Sequence, residues 1–220
     1  MQVSSLRKSF AHGSGRTDVL CSLDLEVDAG EIIAIKGRSG SGKTSLLNIL
    51  GGLDRDFRGT VRVASHDLDT MVDRALSLFR NEVIGFVFQS FHLIDSMTCS
   101  ENVALPAAYS RRRGHSITPR NVEKVLERVG LSGLGEEETR TMSGGQKQRA
   151  AIGRAILLGP RVLLCDEPTG NLDVETGAQI LKLFQDLNAS EGMTVVLVTH
   201  EDRVARIAGR VLNLEGGVLV

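Results

Sequence analysis

Short apolar runs alternate along the chain with stretches of helical spacing. Apolar and polar residues alternate between Val19 and Val27, and residues 32–35 then form a continuous apolar run. This pattern predicts two strands, the second of them buried. Further strand patterns occur at residues 59–63, 84–88, 162–165 and 194–198. The last two are wholly apolar apart from their ends, which predicts central strands of a parallel sheet.

Helical patterns lie between these strands. Residues 45–50 are predicted to form a helix that ends at the pair Gly51 and Gly52. Residues 98–147 are predicted to be mostly helical, and residues 176–188 also carry helical spacing. One helix face in the longer stretch is formed by Val122, Val125, Leu126 and Val129. Strands that alternate with helices predict a doubly wound α/β sheet, with the insertion between Gln89 and Ser143 as a helical lobe.

Composition narrows the class of protein. The 220 residues are 41% hydrophobic, which suffices for one core, or for a core with a small satellite lobe. The net charge of −1 gives no attraction to nucleic acid or anionic lipid, and the absence of tryptophan disfavours a binder that stacks on bases. The charged runs 111–113 and 136–138 are interpreted as solvated, with a docking patch for a partner as the alternative.

Cysteine spacing and hydropathy bear on the compartment. The three cysteines are widely spaced without a C-x-x-C motif, so we expect neither a structural zinc site nor a disulfide framework. We therefore expect the protein to work in a reducing compartment. No apolar run approaches the roughly 20 residues that a membrane span needs. If the function involves a membrane, we expect another chain to supply the spans.

A glycine-rich loop at residues 37–44 follows the buried strand and precedes the first predicted helix. It matches G-x-x-x-x-G-K-[ST], in which glycines let successive backbone N–H groups converge on a phosphate at the helix N-terminus. Lys43 adds a charge for the β- and γ-phosphates, and Thr44 offers a hydroxyl to Mg²⁺. A chance glycine-rich turn is the alternative, which the strand–loop–helix context disfavours. The predicted ATP-binding residues are Gly37, Arg38, Ser39, Gly40, Ser41, Gly42, Lys43, Thr44 and Ser45.

Two acidic residues, Asp166 and Glu167, end the apolar strand at residues 162–165. Asp166 is predicted to hold Mg²⁺ through water, because Mg²⁺ loses its water reluctantly. Glu167 is predicted to orient the water that attacks the γ-phosphate. A solvated acidic pair at a strand end is the alternative, and the phosphate loop upstream makes the catalytic interpretation stronger.

A serine and two glycines at residues 143–145 precede a helical pattern. Ser143 is a natural N-cap, and the glycines bare backbone N–H groups at the helix start, so the segment is a second candidate anion site. The loop at residues 37–44 is already expected to hold the γ-phosphate of one ATP from one side. A second phosphate site on the same chain therefore makes most sense if it serves a neighbouring copy, with an ordinary capped helix as the alternative.

Taken together, these motifs resemble the ATP-binding cassette (ABC) ATPases, and they follow that family's order over nearly the whole chain. Residues 142–146 stand where the family has its LSGGQ signature, with Met142 in place of leucine. Further matches are Gln89 for the Q-loop, residues 170–173 for the D-loop and His200 for the switch histidine. Phe10 falls where the family has an adenine-stacking aromatic residue, although a core or surface phenylalanine is nearly as good an interpretation.

The resemblance implies a fold and a mechanism. One ABC ATPase domain would span residues 1–220, with a RecA-like P-loop NTPase core and an antiparallel β subdomain in residues 1–89 and 148–220, and a helical signature subdomain in residues 90–147. Two copies would pack head to tail and hydrolyse two ATP molecules between them. The implied roles are catalysis for Gln89, Glu167 and His200, ATP contact in trans for Ser143, Gly144, Gly145 and Gln146, a D-loop role for Asp173, and Mg²⁺ binding for Thr44, Gln89 and Asp166.

Three segments, residues 51–54, 84–89 and 101–106, resemble a bacterial subgroup that serves lipoprotein-releasing and macrolide-efflux permeases. This implies integral membrane permease subunits as partners, a mechanical stroke across the membrane, and a peripheral position on its cytoplasmic face. The alternative is an ATP-switched regulator of a membrane partner, of the cell-division type, that moves no cargo.

Two other classes of P-loop protein are less well supported. A small-molecule kinase would not need the separate phosphate site at residue 143. A DNA-repair ABC ATPase is disfavoured because the chain has no long coiled-coil insertion, no zinc motif and no basic excess, so we expect no nucleic-acid partner.

Overall fold

The structure, a computed structural model, describes residues 1–13, 15–110 and 117–220; the arginine run at residues 111–113 lies outside this range. The strands are β1 (Gln2–His12), β2 (Gly15–Glu26), β3 (Ile32–Lys36), β4 (Arg58–Val63), β5 (His66–Asp67), β6 (Ile84–Phe88), β7 (Val162–Asp166), β8 (Thr194–Thr199), β9 (Arg210–Glu215) and β10 (Val218–Leu219). The α-helices are α1 (Lys43–Leu50), α2 (Asp73–Glu82), α3 (Cys99–Ala104), α4 (Pro119–Arg128), α5 (Gly144–Ile156), α6 (Val174–Glu191) and α7 (Asp202–Ala205).

A six-stranded sheet in the order β10-β9-β3-β8-β7-β6 forms the centre of the fold. Its strands from β9 to β6 are parallel, and β10 closes one edge as an antiparallel hairpin. The prediction that β7 and β8 are central, buried and parallel is confirmed. Because parallel strands end at the same edge, the residues that follow β3, β6, β7 and β8 are gathered there.

The central sheet separates two apolar cores, as a doubly wound fold requires. Val195 and Leu197 of β8 belong to the core that includes residues of α5 and α6. Val196 and Val198 belong to the core that includes α1 and the second sheet. This second sheet is antiparallel, in the order β2-β1-β4-β5, so the expected α/β architecture with an antiparallel β unit is present.

The segment between β6 and α5 is less helical than the sequence predicts. Helices α3 and α4 and the 3₁₀ turns at Leu105–Tyr109 and Thr139–Thr141 are short, and residues 129–138 form turns and irregular backbone. The predicted apolar face of α4 is confirmed, because Val122, Val125, Leu126 and Val129 are all buried.

Helix α5 runs without a break across residues 147 and 148, where the proposed helical subdomain meets the core. The proposed division therefore cuts through a helix.

Among the helices in the described ranges, none combines the length and apolar character that crossing a bilayer requires.

Candidate active site

A cavity of about 940 Å³ opens at the edge where β3, β6, β7 and β8 end. Its walls come from the loop before α1, from the residues that follow β6, and from the ends of β7 and β8. Residues predicted from sequence make up much of its lining: Arg38, Ser39, Gly40, Gly42, Lys43, Thr44, Ser45, Gln89, Asp166, Glu167 and His200.

The loop before α1 is shaped for an anion. Gly40 and Gly42 have φ values of 79° and 100°, in the left-handed region that favours glycine. Gly42 is the N-cap of α1, and no side chain caps this helix, so no side chain accepts from its first backbone N–H groups, and Gly42, Lys43, Thr44 and Ser45 at this helix start line the cavity. Lys43 is buried and donates to the carbonyl oxygens of Gly37 at 2.8 Å and Arg38 at 3.0 Å, which holds its ammonium across the loop.

Ser41 gives independent support for a polar ligand in this loop. Its hydroxyl is buried and has no hydrogen-bond partner among the described residues. A buried hydroxyl without a partner is unfavourable. A phosphate oxygen at the loop would supply the missing acceptor.

Thr44 and Asp166 meet across the floor of the cavity, where the Thr44 hydroxyl donates to Asp166 Oδ2 at 2.9 Å. Burial raises the pKa of Asp166 above its ordinary value; the Thr44 hydrogen bond opposes this rise, the charge of Glu167 adds to it and the charge of Lys43 opposes it. Hydroxyl and carboxylate oxygens are the ligands that Mg²⁺ prefers. A divalent cation would also stabilise the charged form of a carboxylate that burial penalises.

Glu167 is held by the neighbouring strand. Its Oε1 accepts from His200 Nδ1 at 2.8 Å, and its Oε2 accepts from the Thr199 hydroxyl at 3.0 Å. Its backbone φ of 46° is uncommon for a residue other than glycine, and its N–H donates to Val198 O at 3.0 Å. The carboxylate is thus fixed at the cavity wall beside an exposed imidazole, as expected for a residue that orients a reactant.

Gln89 and Asn171 are joined by two hydrogen bonds. Gln89 Nε2 donates to Asn171 Oδ1 at 3.2 Å, and Asn171 Nδ2 donates to Gln89 O at 2.9 Å. Asp173 lies two residues further on and caps α6 through the N–H of Thr176, a hydrogen bond that lowers the pKa of Asp173. The structure therefore ties the predicted Q-loop to the predicted D-loop, and the roles of Gln89 and Asp173 remain proposals.

Residues 143–146 lie outside this cavity. Ser143 Oγ accepts from the N–H of Gln146 at 3.3 Å, and Gln146 Oε1 accepts from the N–H of Ser143 at 2.8 Å, which is a complete capping box. The exposed Ser143 hydroxyl acts as an acceptor here, so its proton is free to be donated. Within the part of the chain that the structure describes, the lining of the cavity includes none of Ser143, Gly144, Gly145 and Gln146.

Phe10 is also separate from the described lining. It lies on β1, is 40% exposed, and has Lys8 Nζ 4.8 Å from its ring centroid. Lys8 is itself buried and paired with Asp54 at 2.9 Å. An exposed ring is compatible with base stacking, and that role stays a prediction.

Sequence reasoning missed several residues of the site. Thr199 and Asn171 lie next to predicted site residues, and their polar side chains are the sequence signal that could have identified them as part of the site. Val19, Asn48, Phe88, Ser90 and His92 also line the cavity. The His92 ring packs on Phe88 with centroids 4.9 Å apart, a contact across a turn that no sequence period indicates.

Comparison with known proteins gives concordant results. The profile of the family described as "ABC transporter" matches residues 20–170. The lipoprotein-releasing system ATP-binding protein LolD of Nitratidesulfovibrio vulgaris is 47% identical over 201 residues, which cover 91% of this chain and 86% of that protein. The macrolide export ATP-binding/permease protein MacB 1 of Aeromonas hydrophila is 42% identical over all of this chain, which spans only 34% of that protein.

Solved structures of ATP-binding cassettes resemble this chain over nearly its whole length. The dimeric, post-hydrolysis state of the ATP-binding cassette MJ0796, bound to ADP and Pi, has a TM-score of 0.91 and 35% identity to this chain, covering 99% of this chain and 95% of that one. A second dimeric structure of MJ0796, described as a bacterial ABC transporter cassette, gives the same values.

Proposed function

The chain belongs to the ABC transporter family, whose ATPase domain it carries, and we propose that two copies pack head to tail around two ATP molecules and hydrolyse them to drive an integral membrane permease. The observation that carries this proposal is the gathering of a phosphate loop, the Thr44–Asp166 pair and the Glu167–His200 pair at one sheet edge. In an α/β fold this edge is where ligands bind.

We propose the following task for each group. The backbone N–H groups of residues 37–44 and the Lys43 ammonium hold the β- and γ-phosphates. Glu167 orients a water molecule and accepts a proton from it. This water attacks the γ-phosphorus in line as the bond to the ADP oxygen breaks. His200 contacts the γ-phosphate oxygens and stabilises their charge. Most of the acceleration in such a site comes from positioning and electrostatics.

Mg²⁺ fits the oxygen donors of the site. Thr44 and Asp166 would hold it, with Gln89 as the third predicted ligand. When bound, Mg²⁺ neutralises charge that develops between the β- and γ-phosphates.

The position of residues 143–146 supports the head-to-tail pairing. They form an uncovered helix start, and the cavity of the same chain is lined by other residues. We propose that Ser143, Gly144, Gly145 and Gln146 close over the nucleotide of the second copy. The similar cassette MJ0796 is dimeric in its ADP- and Pi-bound state.

The relatives indicate the class of partner. One is the ATP-binding protein of a lipoprotein-releasing system, and another joins an ATP-binding part and a permease in one protein. We therefore propose that this chain sits on the cytoplasmic face of a membrane, binds permease subunits and supports lipoprotein release or export.

The test uses two variants with matched controls. Lys43→Ala should abolish measurable ATP turnover, because it removes the charge held over the phosphate loop. Glu167→Gln should stop hydrolysis while keeping ATP binding, so that a dimer accumulates with ATP in size-exclusion chromatography. Lys124→Ala and Glu123→Gln change the same residue types on the exposed face of α4 and should leave both properties unchanged. Turnover by Lys43→Ala, or a Glu167→Gln variant that stays monomeric with saturating ATP, would contradict the proposal.

A further inference from the structure

The turn that follows Gln89 has an unusual backbone. Phe91 and His92 have φ values of 57° and 51°, so two consecutive residues other than glycine lie in the left-handed region. Each such residue costs free energy and persists only where its surroundings hold it. The N–H of His92 donates to Ser90 O within the turn. Both Ser90 and His92 line the cavity beside Gln89, so the shape of this turn sets one wall of the ATP site.

Arg154 holds this turn from outside. Its Nη2 donates to Phe91 O at 2.8 Å and its Nη1 donates to His92 O at 2.5 Å, so one guanidinium bridges two consecutive carbonyl groups. Burial lowers the pKa of Arg154, which reflects the cost of removing its charge from water. A partly buried guanidinium is retained where its hydrogen bonds offset that cost.

Arg154 belongs to the helix that starts at the signature. Helix α5 is a continuous element from Gly144 to Ile156, with Ser143 as its N-cap and Arg154 in its last turn. A second side chain of this helix, the fully buried Gln148, donates to Pro168 O at 2.7 Å, directly after Glu167. One continuous helix thus carries the phosphate contact proposed for the neighbouring copy and touches two loops of its own ATP site.

We propose that Arg154 is a positioning residue that couples the two ATP sites of the dimer. When Ser143–Gln146 of one protomer close over the nucleotide of its partner, α5 shifts as a unit, and Arg154 transmits this shift to the turn that carries Gln89 in the same protomer. The inference rests on the proposed head-to-tail dimer and adds to it a residue through which one site senses the other. Such coupling requires an element that contacts both sites and has two arrangements, which in this proposal are α5 with and without Ser143–Gln146 closed over the partner's nucleotide.

A purely structural role for Arg154 gives a different expectation. An arginine in the last turn of a helix also interacts favourably with the helix dipole. Arg154→Lys keeps this charge but lacks the planar fork that reaches two carbonyl groups. Arg154→Met keeps the length of the side chain and removes both properties. If Arg154 only stabilises the helix, the lysine variant should behave like the wild type.

The kinetic experiment measures ATP turnover of the full chain against ATP concentration. For Arg154→Lys and Arg154→Met we expect kcat to fall about tenfold, the KM for ATP to stay within about twofold, and the Hill coefficient to fall toward about 1. The matched control is Arg149→Met on the same helix. Arg149 donates to Val129 O and Gln179 Oε1, both outside the cavity, so this variant tests the loss of an anchoring arginine without touching the turn.

A spectroscopic measurement follows the turn itself. The chain has no tryptophan, so Phe91→Trp introduces a single reporter at one of the two clamped carbonyl groups. In a Glu167→Gln background, ATP should change its fluorescence, and adding Arg154→Met should remove most of this change while ATP still binds. Thermal unfolding of each variant checks that it is folded.

The outcomes separate the two proposals. A wild-type chain without ATP turnover or ATP-dependent dimer would refute the proposed function. Two results would leave the proposed function standing and overturn the role of Arg154. One is an active wild type whose Hill coefficient is already about 1, and the other is a cooperative wild type whose Arg154 variants match Arg149→Met in kcat, Hill coefficient and fluorescence.

Discussion

Glu167 and His200 are joined by a hydrogen bond of 2.8 Å at the ends of two neighbouring strands, β7 and β8. Thr199, the residue before His200, donates to the other oxygen of the same carboxylate. One contact comes from the last residue of β8 and the other from the residue directly after it, while Glu167 itself has a left-handed backbone conformation. The direction of the proposed catalytic carboxylate is therefore set by the strand beside it.

Replacing Thr199 should lower turnover without weakening ATP binding. Thr199→Val keeps the shape of a fully buried residue and removes the hydroxyl that fixes Glu167 Oε2. The carboxylate then has one partner instead of two, and we expect kcat to fall roughly tenfold with little change in KM. Steady-state ATPase measurements check this.

The control for this variant lies on the same strand. Thr194→Val, at the other end of β8, also removes a buried threonine hydroxyl that accepts from a backbone N–H, that of Gly30. Thr199 Oγ1 accepts from the N–H of Glu201 in the same way, so each variant leaves one N–H without its acceptor at a cost of about 1–3 kcal/mol. Equal losses of kcat in the two variants would show that Thr199 acts only through stability.

Thr44 should determine how much Mg²⁺ the ATPase requires. Thr44→Val removes the hydroxyl proposed as a ligand and its hydrogen bond to Asp166, so the Mg²⁺ concentration for half-maximal activity should rise roughly tenfold or more. Thr44→Ser retains the hydroxyl and should keep the wild-type requirement. Titration of ATPase activity with Mg²⁺ distinguishes the variants, and an unchanged requirement in Thr44→Val would remove Thr44 from the proposed site.

The sequence predicts the parts of the fold where one local rule dominates. Strands β7 and β8 are buried on both faces, so their continuous apolar runs are unambiguous. The hydrophobic pattern does not predict strand β1, because a bulge interrupts its alternation: Val3 and Leu6 are both buried, and Ser5 between them has a φ of 51°. Helix α2 was also missed, since it buries only Leu76 and Phe79.

The candidate site also combines residues that local sequence patterns predict with contacts that they do not predict. The motifs place Lys43 at the start of the helix that follows β3, and Asp166 and His200 at the ends of β7 and β8. The parallel sheet brings those strand ends together, so most of the lining follows from the sequence. The contacts of Gln89 with Asn171 and of Arg154 with the turn at residues 91–92 join residues 82 and 62–63 positions apart. Such pairings depend on how helices pack on the sheet, which no local pattern encodes.

The three cysteines should differ in reactivity. Cys21 is exposed, whereas Cys99 and Cys165 are buried. Burial, with a contribution from the charge of Glu137, raises the pKa of Cys99 to about 11, and burial raises that of Cys165 as well. Since the thiolate is the reactive form, an aromatic disulfide reagent should label Cys21 in the native protein and all three cysteines after unfolding in urea. Native labelling of Cys99 as fast as that of Cys21 would contradict the buried position.

The raised pKa of Cys99 also has a consequence for stability. In the unfolded chain this thiol ionises near its ordinary pKa of 9.0, while in the folded chain it stays protonated up to about pH 11. Between these values the unfolded state binds fewer protons, so the free energy of unfolding should fall as the pH rises from 9 toward 11. Cys99→Ala should reduce this slope in urea denaturation curves, and a slope equal to that of the wild type would assign the effect to other groups.

Ser143 combines a structural role with the proposed contact in trans, and the two roles can be separated experimentally. Ser143→Ala removes the cap of α5 and should cost about 1 kcal/mol of stability. It also removes the hydroxyl proposed to reach the partner's nucleotide, so a dimer trapped with ATP in a Glu167→Gln background should weaken at least tenfold.

Thr98→Ala is the matched control: it removes the same kind of capping box from α3 and should have a similar effect on stability. Because Thr98 lies outside both the cavity and the signature, the Thr98 variant should keep the wild-type dimer affinity. Analytical ultracentrifugation with ATP measures both dissociation constants, and equal weakening in the two variants would mean that the loss of stability, and not the loss of the Ser143 hydroxyl, weakens the dimer.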